Sequence, residues 1–416
     1  MKTQLWTPGM GPDRILEAPV ALRSKKGMVL ADLLELGILP GIAGGSEPLQ
    51  GFHTAADIVT QTTDGRDLNI IWTEFMQLLN VVNSERQALL RFLTFQVSNP
   101  QELVAQQGQG VDFEEASEFG EPVASRVQPT YFNMGYTFKW YDLASRYTWQ
   151  YLADATAAMV DSVANAAVEA FYRLQLFEVL KTVFNNNNLT TTINQNSVPV
   201  YKFYNADGTV PPPYKNNTFL GTHNHYRTTG AGTLVAGDLD EMIADFESHG
   251  YSQANGYRQV LMVHTTQGSV IRGFRSVANG GTGTYDFIPA QGQPGVILNT
   301  NQQFFGQGQI ANTLGGLNVI GTYGPLIIVQ DDWLPTTHIF GFCTGGSESL
   351  GNPVGFREHA NAQLRGLRLV KGKQANYPLI DSFWAVGFGT GIRHRGAGMV
   401  MEVTADPSYD IPSVYA

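Results

Sequence analysis

Residues 142–184 read DLASRYTWQYLADATAAMVDSVANAAVEAFYRLQLFEVLKTVF, and this stretch decides the fold. The chain contains 45 glycines and 20 prolines, yet none lies between Tyr136 and Ser197, so no residue there breaks a helix. Apolar residues recur at steps of three and four, namely Leu152, Ala155, Met159, Val163, Ala166, Ala170, Leu174 and Phe177. The pattern predicts one continuous helix, about 64 Å long, with one buried face.

The composition is that of a folded protein with few charges. Of the 416 residues, 43% are hydrophobic, which is enough for a substantial core. Only 15% are charged, against roughly 25% in a typical soluble domain. Such a surface suggests that other copies of the chain cover much of it. The net charge of −10 gives no electrostatic reason to bind nucleic acid or an anionic membrane.

The cysteine count excludes sites built from several cysteines, and the apolar runs are too short for a signal peptide or a membrane-spanning helix. Cys343 is the only cysteine, so the chain can form neither an internal disulfide nor a cysteine metal cluster. The first residues lack the apolar core of a signal peptide, and no run of about 18 apolar residues occurs. We therefore expect the protein to stay in the cytoplasm in which it is made.

An arm and a helix are predicted at the start of the chain. Residues 1–64 are punctuated by glycine and proline and contain one apolar segment, Met28–Leu39. We interpret them as an extended arm with one short helix, the alternative being a flexible tail. A helical pattern follows from Arg66 to Phe95, with Asp64 or Asp67 as its cap.

A hairpin is predicted between this helix and the long one. From Phe132 to Trp140, aromatic and apolar residues alternate with others, which is strand periodicity. The preceding segment is acidic and contains Asp112, Glu114, Glu115, Glu118 and Glu121. Like charges this close repel unless solvent or an opposite surface relieves them.

The second half of the chain predicts a mixed region. Residues 185–232 are rich in Asn and Thr and suggest an inserted loop or small subdomain. A capped amphipathic helix over 237–251 and a buried strand over 259–264 follow, and residues 317–329 suggest two strands separated by Gly-Pro. Alternation from Phe383, a turn at Gly396 and then MVMEVT predict a closing antiparallel pair.

Four histidines are the candidates for a metal site. His223 and His225 are two residues apart, and His249 and His264 follow. Imidazole is a common zinc ligand, but the loop that carries the first two has no matching acidic motif. No metal site is expected.

No other motif predicts catalysis or cofactor binding. GGTGTYD and GTGIR lack the lysine and hydroxyl residue of a phosphate loop, and G-x-S-x-G is absent. Asp331 and Asp332, before Trp-Leu-Pro, are interpreted as a turn and not as a catalytic pair. The sequence therefore predicts neither catalytic residues nor a cofactor. The alternative from another class, a β-rich glycan-active enzyme, would need a pair of carboxyl groups with tuned acidity.

The order of arm, acidic hairpin, unbroken helix, central mixed region and closing strands resembles the major capsid proteins of tailed bacteriophages, which have the Hong Kong 97-like fold. The resemblance covers nearly the whole chain. Its most specific stretches are PTYFNMGYTFKWYDLASRY (129–147), VQDDWLPTTHIFGF (329–342) and YPLIDSFWAVGFGTGIRHRGAGMVMEV (377–403).

The resemblance implies an α+β fold with an N-terminal arm, an extended β-hairpin loop, a long spine helix and peripheral and axial domains. The implied segments are 1–64, the arm; 65–98, a helix joining it to the peripheral domain; 99–140, the extended loop; 141–185, the spine helix; 186–232, an insertion or long loop; 233–335, the axial domain; and 336–416, the returning strands of both domains and the C-terminal tail.

The function implied is structural. Such chains self-assemble as hexamers and pentamers into an icosahedral shell around packaged double-stranded DNA, in the virion, after assembly in the host cytoplasm. The implied partners are scaffold, portal and cement or decoration proteins, with no membrane and no sequence-specific DNA binding. An encapsulin, a cellular shell loaded with an enzyme, is the alternative within the fold.

Contacts between subunits are predicted for the arm and for two charged segments. The apolar arm segment lacks a partner in its own region, and the acidic hairpin could dock on the basic run near the end of the chain, which is otherwise a solvated face. The interface candidates are Leu33, Leu34, Leu36, Glu114, Glu115, Glu118, Arg365, Arg368, Lys371 and Lys373.

Some capsids of this fold join a loop lysine covalently to a neighbouring asparagine. Here no lysine lies between Lys26 and Lys139, and Lys139 is at the base of the predicted hairpin. We therefore expect a shell without covalent crosslinks.

Overall fold

The computed structural model describes residues 4–6, 15–17, 61–84, 87–106, 115, 118, 120, 130–291, 310–371 and 379–416. The chain forms two compact units. One comprises Met1–Thr73, Arg146–Asp161 and Gly372–Asp381, and the other comprises Glu74–Ser145, Ser162–Lys371 and Ser382–Ala416. Among the described residues, none of the helices combines the length and the apolar character that crossing a bilayer requires.

The described residues contain six α-helices and 19 strands, and most of the strands lie in the second half of the chain. The helices are α1 (Leu68–Ser84), α2 (Ala88–Leu93), α3 (Trp149–Asp154), α4 (Ala157–Phe184), α5 (Ala236–Ser248) and α6 (Thr265–Ile271). The strands are β1 (Gln4–Trp6), β2 (Ile15–Glu17), β3 (Thr94–Val97), β4 (Gln101–Gln106), β5 (Thr130–Gly135), β6 (Lys139–Thr148), β7 (Leu189–Ile193), β8 (Asn196–Val200), β9 (Tyr226–Thr228), β10 (Arg258–Val263), β11 (Phe287–Pro289), β12 (Thr313–Leu314), β13 (Leu317–Tyr323), β14 (Leu326–Gln330), β15 (His338–Thr344), β16 (Val354–Glu358), β17 (Arg368–Lys371), β18 (Leu379–Ile392) and β19 (Gly398–Glu402).

The long helix begins later than predicted. The segment 141–185 opens with strand β6, and α3 is separated from α4 by two residues. The Thr148 hydroxyl accepts the amide hydrogen of Tyr151 at 3.2 Å and so caps α3. The Asp64 carboxylate accepts the amide hydrogen of Ala157, at 3.2 Å from each oxygen, and starts α4 anew. The absence of glycine and proline therefore does not make a continuous helix here, because Thr148 and the distant Asp64 cap two separate helices.

The buried face of α4 also differs from the predicted one. Met159 is 47% exposed and Ala166 is exposed, although both belong to the predicted apolar stripe. That stripe took its phase from Leu152 and Ala155, which precede the start of α4. The buried apolar residues of α4 are instead Ala157, Val160, Ala164, Ala167, Val168, Phe171, Leu176, Val179, Leu180, Val183 and Phe184. At 28 residues, α4 is about 42 Å long.

The helix predicted over 65–98 is divided into α1, α2 and strand β3. Asp67 is confirmed as the cap of α1, because its carboxylate accepts the amide hydrogen of Asn69 at 2.8 Å. The last part of the segment is a strand because Thr94 and Phe95 are buried, and β3 pairs in parallel with β16, Thr94 opposite Val354. Tertiary pairing outweighs helix propensity there.

The hairpin predicted before the long helix is confirmed at its base. Strands β4 and β5 pair antiparallel, from Gln101 opposite Gly135 to Gln106 opposite Thr130. The alternating residues up to Trp140 were predicted to form one strand. They belong to two strands, because β5 ends at Gly135 and β6 begins at Lys139.

An eight-stranded mixed sheet forms the larger core. Its strand order is β11, β13, β14, β10, β15, β19 and β9, with β12 paired to β13. The pairs β10–β14 and β19–β9 are parallel. Helix α5 packs on this sheet through Leu239, Met242 and Phe246, which are fully buried. Gly341 in β15 allows this close approach, because a Cβ there would clash with the Met242 sulfur.

The last two strands do not pair with each other, so the predicted closing pair is wrong. Strand β18 pairs with β17, β16 and β6, whereas β19 pairs with β15 and β9 in the eight-stranded sheet. The chain leaves the first sheet where the Arg393 amide donates to the Pro353 carbonyl at 3.0 Å, and it enters the other where the Ala397 carbonyl accepts from the Cys343 amide at 2.8 Å. The intervening turn thus joins two sheets.

Candidate functional site

The predicted interface residues are only partly within the described chain. Leu33, Leu34, Leu36, Glu114 and Lys373 lie outside it. Glu115 and Glu118 are described and exposed. Their docking on basic residues of a neighbouring subunit therefore stays a prediction.

The basic residues of the proposed docking patch have contacts within their own chain. Arg365 donates to the carbonyls of His359 and Ala360 at 2.7 and 3.0 Å. The guanidinium of Arg368 lies over the Trp140 ring, 5.6 Å from its centroid. Lys371 ends strand β17. The two arginines are half-buried in these contacts.

The base of the hairpin is anchored by one carboxylate. Glu102 on β4 forms an ion pair with Arg393 at 3.0 Å and accepts a hydrogen bond from the Tyr136 hydroxyl at 2.9 Å. Burial, together with the negative charge of Glu102 and the hydrogen bond to it, raises the pKa of the Tyr136 hydroxyl well above its ordinary value. On the other face of the hairpin, Leu103 is 67% exposed and Tyr131 is 63% exposed. The anchored hairpin therefore presents an apolar outer face.

A second candidate site is a cluster of three imidazoles and one carboxylate, which we call the histidine cluster: His223, His225, Asp245 and His249. His223 and His225 lie just before β9 in an extended segment, where residues two apart point to the same side. The His225 amide donates to the Tyr204 carbonyl at 2.6 Å, and the His225 carbonyl accepts from the Val400 amide at 2.9 Å. The backbone on both sides thus fixes this segment.

The other two members come from the end of α5. Asp245 lies in the last turn, and His249 is the residue that ends the helix. Residues four apart on a helix lie on the same face, so both side chains point to the extended segment. The guanidinium of Arg227 donates to one Asp245 oxygen at 2.9 Å and orients the carboxylate.

The three imidazole Nε2 atoms meet at one point. The distances between them are 2.9 Å for His223 and His225, 2.8 Å for His223 and His249, and 3.1 Å for His225 and His249. One Asp245 oxygen is 3.7 Å from the His223 Nε2, and the other is 3.6 Å from the His225 Nε2.

Burial keeps these imidazoles neutral. It lowers the pKa of His225 and of His249 to about 3, and it also lowers the pKa of His223. The His225 side chain is completely buried. The Phe219 ring stacks on His249 with 4.2 Å between centroids. A neutral imidazole has one nitrogen lone pair available to bind an electrophile such as a metal ion.

Sequence reasoning considered the histidines of this cluster but missed the acid. Asp245 lies four residues before His249, and this D-x3-H spacing on a predicted helix was the available indication. His264, the fourth histidine considered, lies elsewhere, where its Nδ1 is 3.0 Å from the Thr266 hydroxyl.

The predicted turn at Asp331 is confirmed. Its carboxylate accepts the amide hydrogen of Trp333 at 3.0 Å, and its backbone carbonyl accepts from Leu334. Burial raises the pKa of the Asp331 carboxyl, but its hydrogen bond to the following amide is that of an ordinary turn.

Comparison with known proteins identifies the family. No protein-family model and no curated protein sequence matches the chain. A solved structure from Mycobacterium phage Patience is 38% identical, with a TM-score of 0.69, over 89% of this chain and 97% of that chain. The capsid of an empty GTA particle is 13% identical, with a TM-score of 0.45, over 76% and 90% of the two chains. An encapsulin from Synechococcus elongatus is 12% identical, with a TM-score of 0.42, over 80% and 97%.

The match to the mycobacteriophage structure extends over nearly the whole of both chains at an identity that indicates common descent. The mixed helix and strand architecture agrees with the fold implied by the sequence. The chain belongs to the major capsid proteins of tailed bacteriophages, with the Hong Kong 97-like fold.

Proposed function

We propose that copies of this chain form hexamers and pentamers, which close into an icosahedral shell around packaged double-stranded DNA. The observation that carries the proposal is the 38% identity to the mycobacteriophage structure over 89% of the chain. The chain is a structural component of the virion and catalyses no reaction. Assembly takes place in the host cytoplasm, with scaffold and portal proteins and, in the mature particle, cement or decoration proteins.

The surface of the subunit supports extensive contacts between copies. Charged residues are only 15% of the chain, and the outer face of the hairpin exposes Leu103 and Tyr131. Leu103 lies opposite Asn133 and Ala105 opposite Tyr131 in the pairing of β4 and β5, so both apolar side chains are on one face. We propose that a neighbouring copy covers this face. The net charge of −10 gives no electrostatic reason for direct binding of DNA, so the shell would enclose DNA without sequence-specific contacts.

Assembly is tested by producing the full chain with its scaffold and analysing the product by size-exclusion chromatography and negative-stain electron microscopy. Closed shells tens of nanometres across are expected. A monomer or small oligomer under all conditions would contradict the proposal. Shells from virions should protect double-stranded DNA from nuclease, whereas a cargo enzyme in place of DNA would identify an encapsulin.

The role of the hairpin is tested by Leu103→Asp, which removes exposed apolar surface and adds a charge. Asn133→Asp adds a charge at the directly opposite position of the same face without loss of apolar surface. We expect Leu103→Asp to lower the yield of shells severalfold and Asn133→Asp to lower it less. Equal yields for wild type and Leu103→Asp would exclude this face from the contact.

A further inference from the structure

The histidine cluster has a geometry that hydrogen bonding cannot explain. Three Nε2 atoms lie 2.8–3.1 Å from one another, at hydrogen-bond distance on every side of the triangle. Each of these contacts needs one hydrogen between the two nitrogens.

The cluster cannot supply those hydrogens. His225 Nδ1 is 2.7 Å from the Gly398 carbonyl oxygen, which only accepts, so the hydrogen of this neutral ring is on Nδ1. Its Nε2 therefore presents a lone pair to the centre. Only the Nε2 atoms of His223 and His249 can carry a hydrogen here, one each, so at least one of the three contacts has no hydrogen between its nitrogens. With the hydrogens of all three rings on Nδ1, the three Nε2 lone pairs would bind a cation at the centre.

We propose that His223, His225, His249 and Asp245 bind one zinc ion. Ligand atoms about 2.05 Å from a tetrahedral zinc lie roughly 3.3 Å apart. The observed separations of the nitrogens are a few tenths of an ångström shorter, and the Asp245 oxygen that Arg227 does not hold is 3.7 Å from the His223 Nε2, a few tenths longer. The ligand atoms of the four residues all lie within 4.8 Å of one another, and side-chain rotations would bring them to the required distances.

The surroundings of the cluster are those of a metal site. The Gly398 carbonyl fixes the tautomer of His225, and Arg227 holds one oxygen of Asp245, which leaves the other oxygen, 3.7 Å from the His223 Nε2, facing the cluster. Tyr204 stacks on His249, with 5.9 Å between the ring centroids. Three imidazoles and one carboxylate suit zinc, whereas Mg²⁺ and Ca²⁺ prefer oxygen ligands.

The site would be structural. Four protein ligands leave a tetrahedral zinc no open position for a substrate. Two ligands belong to the segment 186–232 and two to the end of α5, so the ion would fasten that segment to the eight-stranded core. The inference is independent of shell assembly, because all four ligands come from one chain.

The test uses the untagged full chain, treated with a chelator and then titrated with Zn²⁺. We expect one zinc per chain, and a rise in the melting temperature on addition of Zn²⁺ that the chelator reverses. Co²⁺ bound in its place should give the intense visible absorption of four-coordinate cobalt. His223→Gln and Asp245→Asn should weaken zinc binding at least tenfold. His264→Gln, which removes an imidazole outside the cluster, should leave it unchanged.

Three results would overturn the proposal: no zinc bound at micromolar concentrations, equal binding by His223→Gln and His264→Gln, or a cobalt spectrum typical of six-coordinate ions. If His223→Gln does not fold, Asp245→Asn still tests the proposal, because the asparagine amide has nearly the size and shape of the carboxylate. Normal shells formed by a chain that binds no zinc would overturn the metal site without affecting the proposed function.

Discussion

Lys202 is a buried lysine whose removal should stabilise the subunit. It is 2% exposed, and its ammonium donates to the Thr182 carbonyl near the end of α4 at 3.1 Å. Burial and the nearby charge of Lys181 lower its pKa from 10.5 to about 7, and Glu178 opposes this shift. We expect the substitution Lys202→Met to raise the free energy of unfolding at pH 7.

The magnitude follows from proton linkage. Between pH 7 and 10.5 the unfolded chain binds the Lys202 proton more tightly than the folded chain, so wild-type stability rises with pH in this window. A lysine with these two pKa values costs about 4 kcal/mol at pH 7 and about 2 kcal/mol at pH 9. Methionine removes this cost but leaves the Thr182 carbonyl without its donor, at about 1–3 kcal/mol. The variant should therefore be more stable by about 1–3 kcal/mol at pH 7, with the difference falling to near zero at pH 9.

Equilibrium urea unfolding of the unassembled chain, followed by circular dichroism at pH 7, 8 and 9, measures this difference. Lys139→Met removes the same charge from an exposed position and controls for net charge. The decisive quantity is how the stability difference between Lys202→Met and wild type changes with pH, because the cost of the unpaired Thr182 carbonyl is the same at every pH. Stability profiles that run parallel for wild type and Lys202→Met would refute the reasoning.

Three further predictions concern assembly. Deletion of residues 1–40 should leave a folded, helical subunit that forms no shells, and normal shells from the truncated chain would exclude the arm from the contact. Reversal of Glu114, Glu115 and Glu118 to lysine should lower the shell yield at low salt and less at high salt, where exposed charges are screened, whereas Glu247→Lys on α5 should not lower it. An unchanged yield at every ionic strength would count against the docking of the acidic hairpin. Boiled mature particles should run as a single band near the monomer mass on a denaturing gel, and a ladder of multimers would show that covalent crosslinks exist.

The elements that could be predicted from the sequence are those with strong local periodicity. The alternating residues of β5, the buried run of β10 and the amphipathic pattern of α5 each specify their structure within one segment. The start of α4 could not be predicted in this way, because it is set by Asp64, which is distant in sequence. The separation of β18 and β19 likewise depends on pairing with strands far along the chain.

The histidine cluster also depends on contacts between segments that are distant in sequence. H-x-H in an extended segment and D-x3-H at the end of a helix are each visible in the sequence, and each places two ligands on one side. Neither motif indicates the other, because His225 and Asp245 are brought together only when β9 joins β19 and α5 packs on the sheet. A search for single contiguous metal motifs therefore passes over this site.

The segment 186–232 was predicted to be an insertion or long loop because its composition is polar. Its many Asn and Thr residues suggest a solvated loop, yet its few aromatic and charged residues make the buried contacts. Arg395, 4% exposed, donates to the Lys202 carbonyl at 2.7 Å and pairs with Asp207 at 2.8 Å, and its guanidinium lies over the Tyr204 ring, 4.6 Å from the centroid. Because a buried guanidinium needs acceptors and a counter-charge, the core would be left with an unpaired cation if the segment were displaced. The segment is therefore a part of the fold on which the core depends, whatever its average polarity.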